Sequence, residues 1–294
     1  MAREMADLGF SSIELSHGIR ISLVTGILKA VEEKIVRVSS VHNFCPLPTG
    51  VNNAAPNLYE PTSPDSQELR LWSRYTRRTI DFASTVGAGC VVLHSGSVRF
   101  LFIDPAGRIQ RYVAGKPAND RLYDPVYTRL IEKSIRRIRA KSVKFMVNLR
   151  AALEEIIPYA RKQGIILGIE NREGLDELPI DDEMSQFLDE LPGSELVGYW
   201  HDSGHAAIKE QYGLLDHRSH LIENSRRLVG FHLHDVDASG RDHQPIGRGN
   251  IDFDMIAAFI RPEHVVVLEL SPRLSAEEVL ESRENLERAI ERVG

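Results

Sequence analysis

Residues 165–170 read IILGIE, residues 196–202 LVGYWHD, residues 228–232 LVGFH and residues 265–269 VVVLE. Each is a short, nearly continuous apolar run, the pattern of a strand buried on both faces of a parallel sheet. Each also stops on a side chain able to bind a cation: Glu170, Asp202, His232 and Glu269. In a (β/α)8 barrel the C-terminal strand ends converge on one rim, and active sites are built there. Two Glu, one Asp and one imidazole form a donor set suited to Mn²⁺, Mg²⁺, Co²⁺ or Zn²⁺. The four endings together predict a metalloenzyme with its centre on a barrel rim.

Further β-rich runs occur at 11–15 (SSIEL), 36–44 (VRVSSVHNF) and 89–96 (GCVVLHSG), with helical patterns between runs. Alternation of this kind means βα units and a parallel sheet covered by helices. The stretch 63–85 has Ser63 as a candidate N-cap and Pro64 at the first helical position. Residues 125–163 form the longest helical stretch, which Pro158 is expected to bend or interrupt. At 274–293, Ser275 and Glu278 have the spacing of a capping box. No low-complexity linker divides the chain, so residues 1–294 are expected to form a single TIM barrel domain.

Counting gives seven strands where a closed barrel needs eight. The chain opens in a helical pattern, Arg3 to Leu8, directly before SSIEL. The expected fold is therefore an α/β (β/α)8 barrel lacking its first β-strand, which would leave two unpaired sheet edges. Residues 45–64, rich in Pro and Asn, and residues 96–124 each follow a strand and are expected on the active face as lids or surface loops.

Composition bounds the function. An apolar share of 42% and a charged share of 27% are those of a globular chain, and the net charge of −6 gives no general attraction to nucleic acid or anionic lipid. The basic run Arg136 to Lys144 reads as a solvated helix face. Cys45 and Cys90 have no CxxC partner and read as buried thiols of a reducing compartment. With no apolar stretch resembling a signal or a membrane span, a cytoplasmic location is expected. The GRGN and GAGC stretches are too short for a nucleotide-binding fingerprint, and HSGSVR carries no nucleophile elbow. Composition leaves open whether the chain is a monomer or a homo-oligomer.

The ordered set IENR at Glu170, WHDSGHA across Asp202 and His205, HLHD at His232 and LEL at Glu269 resembles the signature positions of the sugar phosphate isomerase/epimerase family. That family has a xylose isomerase-like TIM barrel and includes the endonuclease IV group. The resemblance implies that Glu170, Asp202, His232 and Glu269 bind one divalent metal, with His232 preferred to His234. It implies a carbohydrate-like substrate and an isomerase or epimerase activity on a sugar, sugar acid, cyclitol or sugar phosphate. A divalent metal stabilises an enediolate, and Glu170 and Glu269 would then remove and return a proton on its two faces.

His205 is expected to touch a substrate hydroxyl or a second metal, and Trp200 and His201 to pack the strand. Asn171 and Arg172 are candidates to orient Glu170 or bind substrate. In residues 239–253, SGRDHQPIGRGNIDF, His243 is a candidate further ligand and Arg248 a candidate for a substrate phosphate or carboxylate. His42 and His94 end their strands at the same rim. In the endonuclease IV group, positions matching His42, His94, His205 and His243 bind additional zinc. Arg241 departs from that group's pattern, which puts a three-zinc site in doubt. The rival readings are a zinc-dependent phosphodiesterase resembling endonuclease IV, a lyase using the same enolate chemistry, and a truncated non-catalytic relative.

Overall fold

The computed structural model describes residues 1–102, 104–114 and 123–294, so part of the 96–124 loop lies outside the described residues. Seven strands appear where the apolar runs predict them: β1 (Ser12–Leu15), β2 (Arg37–His42), β3 (Cys90–Leu93), β4 (Ile166–Glu170), β5 (Val197–Asp202), β6 (Leu228–Leu233) and β7 (Val265–Leu268). All neighbours are parallel and their order is that of the sequence, which gives a nearly closed barrel wrapped by helices. Among the described residues no pairing joins β1 to β7, and these are the two edges.

The helices are α1 (Ala2–Asp7), α2 (Val24–Glu32), α3 (Ser66–Val86), α4 (Pro105–Val113), α5 (Pro125–Gln163), α6 (Met184–Glu190), α7 (Ser203–Gln211), α8 (His217–Asn224), α9 (Phe253–Ala257) and α10 (Ala276–Val293). α10 begins with the expected capping box, Ser275 accepting from Glu278 N and Glu278 reaching back to Ser275 N. α3 departs from expectation: Asp65, not Ser63, is its N-cap, accepting from Gln67 N at 2.8 Å, while Ser63 Oγ donates to Glu68 and accepts from Asp65 N at 3.1 Å. α5 runs uninterrupted through Pro158, starting on the Asp124 cap and ending on Gly164 at φ +68°. No described helix is long and apolar enough to cross a membrane.

Side chains alternate across each strand, so β5 sends Trp200 and Asp202 into the barrel and Tyr199 and His201 towards the helices. Trp200 fills the lumen beside Cys90 and Val92. It fits because its neighbours lack side chains: a Cβ on Gly230 would lie 2.3 Å from its ring, and one on Gly168 3.0 Å. This packed plug forms the floor of the rim site. α10 ties down the segment that leads into β1, with Arg283 donating to Leu8 O at 2.8 Å and lying over the Phe10 ring.

Candidate metal centre

Register assembles the site. Glu170 pairs with Trp200 and Asp202 with His232, so the last residues of β4 and β5 and the penultimate residue of β6 stand side by side at the rim. Glu269 follows β7, held by its N–H to Leu233 O at 3.1 Å. One donor atom from each of Glu170, Asp202, His232 and Glu269 falls within a sphere of mutual distances under 4.8 Å. Glu170, Asp202 and His232 are buried, whereas Glu269 is 28% exposed and faces the mouth.

The imidazole decides how that sphere can be used. His232 Nε2 lies 3.0 Å from Glu14 Oε1 and donates to it, which leaves Nδ1 for the interior. Nδ1 makes no hydrogen bond of acceptable geometry, yet Glu269 Oε2 is 3.1 Å away, Glu170 Oε1 3.6 Å and Asp202 Oδ2 4.0 Å. A buried nitrogen lying among three carboxylates without a hydrogen bond to any of them makes a cluster that could hold a cation. Burial opposes charge there, but the Glu269 and Glu14 carboxylates hold the His232 ring well above its ordinary pKa. Burial likewise works against ionisation of Glu170, and Arg172, His94 and the surrounding imidazoles overcome it, holding that carboxyl well below its usual range.

His42 and His94 meet Glu170 from the other side. His42 Nδ1 donates to Asn43 O at 2.8 Å and His94 Nδ1 to Asn57 Oδ1 at 2.7 Å. Their Nε2 atoms face Glu170 Oε2 at 3.3 Å and 3.0 Å. Burial and the Arg172 charge hold His94 well below its ordinary pKa. His42, His94 and Glu170 thus form a second group with ligand spacing, sharing Glu170 with the first.

His205 caps this side, with its N–H to Asp202 Oδ1 at 2.7 Å and its Nδ1 to Asn171 O at 2.9 Å. Burial would lower its pKa, but Asp202 and Glu170 lift it to about 9. Arg172 donates to Glu170 at 3.2 Å and to Glu177 at 3.1 Å and borders the His205 ring. His205, Glu173 and Asp242 form a further group. Arg241 is turned out and bound by Asp237, and the next residue, Asp242, brings a carboxylate towards His205.

The structure does not bring Arg248 to the cluster. Its guanidinium is held by Glu278 and Glu281 of α10 at 2.7 and 2.6 Å, which corrects its expected role at a substrate anion. The glycines around it serve the loop: Gly247, Gly249 and Ile251 donate their N–H groups to buried Asp235, and a Cβ on Gly249 would lie 2.2 Å from that carboxylate. His243 stacks on His234 at 4.3 Å and donates from Nδ1 to Glu269 O at 2.8 Å. His234 and His243 share a group with Glu269, although His234 Nε2 is engaged by Asp202 and its Nδ1 by His243 N.

Three residues near the centre escaped the reading of the sequence: Glu14, Asn57 and His17. His17 lies 4.8 Å from the His42 ring, its Nδ1 buried without a partner; burial and the neighbouring His42 push its pKa down to about 3. The signal for Glu14 was an acidic residue inside a strand that must be half-buried, where unpaired carboxylates are rare.

A profile of the family described as xylose isomerase-like TIM barrel matches residues 2–292. The chain belongs to that family. Solved structures agree on the fold at low identity. An L-ribulose 3-epimerase superposes with a TM-score of 0.68 at 14% identity, covering 99% of this chain and 87% of that one. A D-tagatose 3-epimerase-like protein gives 0.65 at 17% identity, covering 97% and 90%. A 3-keto-D-glucoside 4-epimerase from E. coli gives 0.65 at 14% identity, covering 98% and 92%. No curated protein matches the sequence.

Proposed function

We propose that this xylose isomerase-like chain is a divalent-metal-dependent isomerase or epimerase of a sugar, sugar acid, cyclitol or sugar phosphate. The observation that carries the reading is the buried His232 Nδ1 lying, without a hydrogen bond, among the carboxylates of Glu170, Asp202 and Glu269. Those four residues would hold one Mn²⁺, Mg²⁺, Co²⁺ or Zn²⁺. Bound there, the cation supplies polarisation of a substrate carbonyl or hydroxyl and stabilises the charge of an enediolate.

The chain's own residues would do the rest. Glu269, partly exposed at the mouth, is placed to take a proton from the carbon beside the carbonyl. Glu170, buried on the opposite side, would return one, and for that step it must enter protonated. His205 and Arg172, both bordering Glu170, present N–H donors for substrate hydroxyls. The epimerase names of the structural neighbours agree with this chemistry. The test is deuterium uptake from D2O at carbon across a panel of ketoses, uronates and keto-cyclitols, followed by NMR. Metal-dependent exchange that is lost in Glu269→Gln supports the reading, and exchange that survives chelation would overturn it.

The zinc phosphodiesterase reading keeps one specific observation in its favour, the His42–His94–Glu170 group beside the first. Two or three tightly held Zn²⁺ per chain together with cleavage of abasic DNA would establish it. A single domain and a cytoplasmic location complete the proposal.

A further inference from the structure

Behind the rim, between β5 and α8, lies a set of buried polar side chains that the proposed proton transfer does not use. Tyr199, His201 and Asn224 are fully buried, and His217 and His220 are 3% exposed. Interior polar groups persist only where they are hydrogen-bonded, and here the bonds form one connected network. Tyr199 Oη lies 2.7 Å from His201 Nδ1, 2.9 Å from His220 Nε2 and 3.1 Å from Asn171 Oδ1. His201 Nε2 lies 3.0 Å from His217 Nε2, and Asn224 Nδ2 points at His220 Nδ1 at 3.4 Å.

Counting donors fixes every proton. A phenol has one hydrogen to give, and Asn171 Oδ1 has none, so Tyr199 must donate to Asn171. Both imidazoles must then donate to the phenol oxygen, His201 from Nδ1 and His220 from Nε2. That leaves His201 Nε2 as acceptor for His217 Nε2–H and His220 Nδ1 as acceptor for Asn224. All three rings are neutral in this arrangement, and no contact is left between two acceptors.

The network ends on a clamp. Asn171 Oδ1 also accepts from Asp202 N at 2.7 Å, and Asn171 Nδ2 donates to Asp202 O at 3.0 Å. The same residue's carbonyl receives His205 Nδ1 at 2.9 Å. A reversed carboxamide would put an NH2 group against Asp202 N–H, and the Tyr199 hydrogen is what makes the observed orientation doubly favoured.

We propose that Tyr199 is a positioning residue for the metal centre, holding Asn171 so that the end of β5 presents Asp202 and His205 in fixed geometry. The three imidazoles keep the phenol hydrogen pointed at Asn171. This deepens the metal-centre reading and rests on it. Partners hydrogen-bonded to metal ligands orient them, and losing one typically weakens affinity by about 10- to 100-fold; Tyr199 acts one contact further out, through Asn171, so the lower end of that range is expected.

The test is calorimetric titration of the EDTA-treated full chain with Mn²⁺, a readout independent of turnover. Tyr199→Phe is expected to weaken Mn²⁺ binding about tenfold, with an unchanged far-ultraviolet circular dichroism spectrum. His220→Gln, which keeps an N–H donor near the Nε2 position, should bind like wild type, and His220→Leu should follow Tyr199→Phe. Binding within twofold of wild type in Tyr199→Phe, with only the melting temperature lowered, would overturn the proposal and leave a structural role. If Tyr199→Phe does not fold, the His220 pair decides: at least fivefold weaker binding for Leu than for Gln supports positioning, and equal binding overturns it. A wild-type chain that takes up no Mn²⁺ would instead remove the metal reading beneath the proposal.

Discussion

Glu14 on β1 and His232 on β6 meet across the barrel at 3.0 Å, and this contact decides which imidazole nitrogen faces the carboxylates. Glu14 is itself held by Ser40 Oγ at 2.7 Å, so the ring is pinned by a chain of side chains from β2 through β1 to β6. An anionic partner on the outer nitrogen raises the basicity of the inner one, which is what a metal ligand requires. Glu14→Gln keeps an acceptor but loses the charge, and Mn²⁺ affinity should fall about tenfold; Glu14→Ala should lose up to about 100-fold. Titration calorimetry checks both, and unchanged affinity in the two variants would reduce Glu14 to packing.

Glu269 is the one member of the four-residue group that solvent reaches appreciably. Glu269→Gln keeps its volume and removes the base, so deuterium exchange into substrate should fall by about 10²- to 10⁴-fold. Its fold should be intact by circular dichroism.

The second group predicts a difference between metals. Two imidazoles and one carboxylate at His42, His94 and Glu170 suit Zn²⁺ better than Mg²⁺. Titration with Zn²⁺ should therefore show a second equivalent that Mg²⁺ does not give, and His94→Gln should return the Zn²⁺ stoichiometry to one. A single Zn²⁺ equivalent in the unaltered chain would assign His42 and His94 to substrate or to packing.

Buried neutral histidines set the acid side of stability. Burial, followed by the neighbouring His220, pushes His217 down to about 4 from an ordinary 6.5. Between those two values the unfolded chain binds a proton that the folded chain refuses. Stability is therefore complete above pH 6.5, declines as pH falls towards about 4 and levels off below, a contribution of roughly 3 kcal/mol. Urea denaturation of the chelated protein at pH 7 and pH 5 should show a smaller difference for His217→Gln than for wild type. An equal difference in the two proteins would show that His217 does not carry it.

Trp200 makes the barrel interior sensitive to single methyl groups. Gly230→Ala would place a Cβ 2.3 Å from the indole, so ring or strand must shift, at a cost of about 1–3 kcal/mol or more. The urea midpoint should fall while the number of metal equivalents is retained.

The strands and their ligand endings were legible because a parallel barrel writes both into local sequence: short apolar runs, each closed by a coordinating side chain. His232 and His234 could not be separated that way, since residues two apart share a face. Their environments separate them, Glu14 and the three carboxylates holding one, Asp202 and His243 N the other. Glu14 was invisible as a partner because it stands 218 positions from His232 in the chain. Arg248 looked like an anion ligand on its glycine-rich loop. Its real partners, Glu278 and Glu281, belong to a helix whose approach depends on the closure of the whole barrel. His201 read as a packing residue and Tyr199 carried no signal of its own, and only their shared contacts with α8 reveal a polar network.

The most direct test of the metal centre is Mn²⁺ titration of the EDTA-treated protein beside His232→Gln and Asp202→Asn. One equivalent bound tightly by wild type, and lost or weakened by at least two orders of magnitude in both variants, is the predicted result. Absence of saturable binding of Mn²⁺, Mg²⁺, Co²⁺ and Zn²⁺ by wild type, or affinity unchanged in the variants, would contradict it.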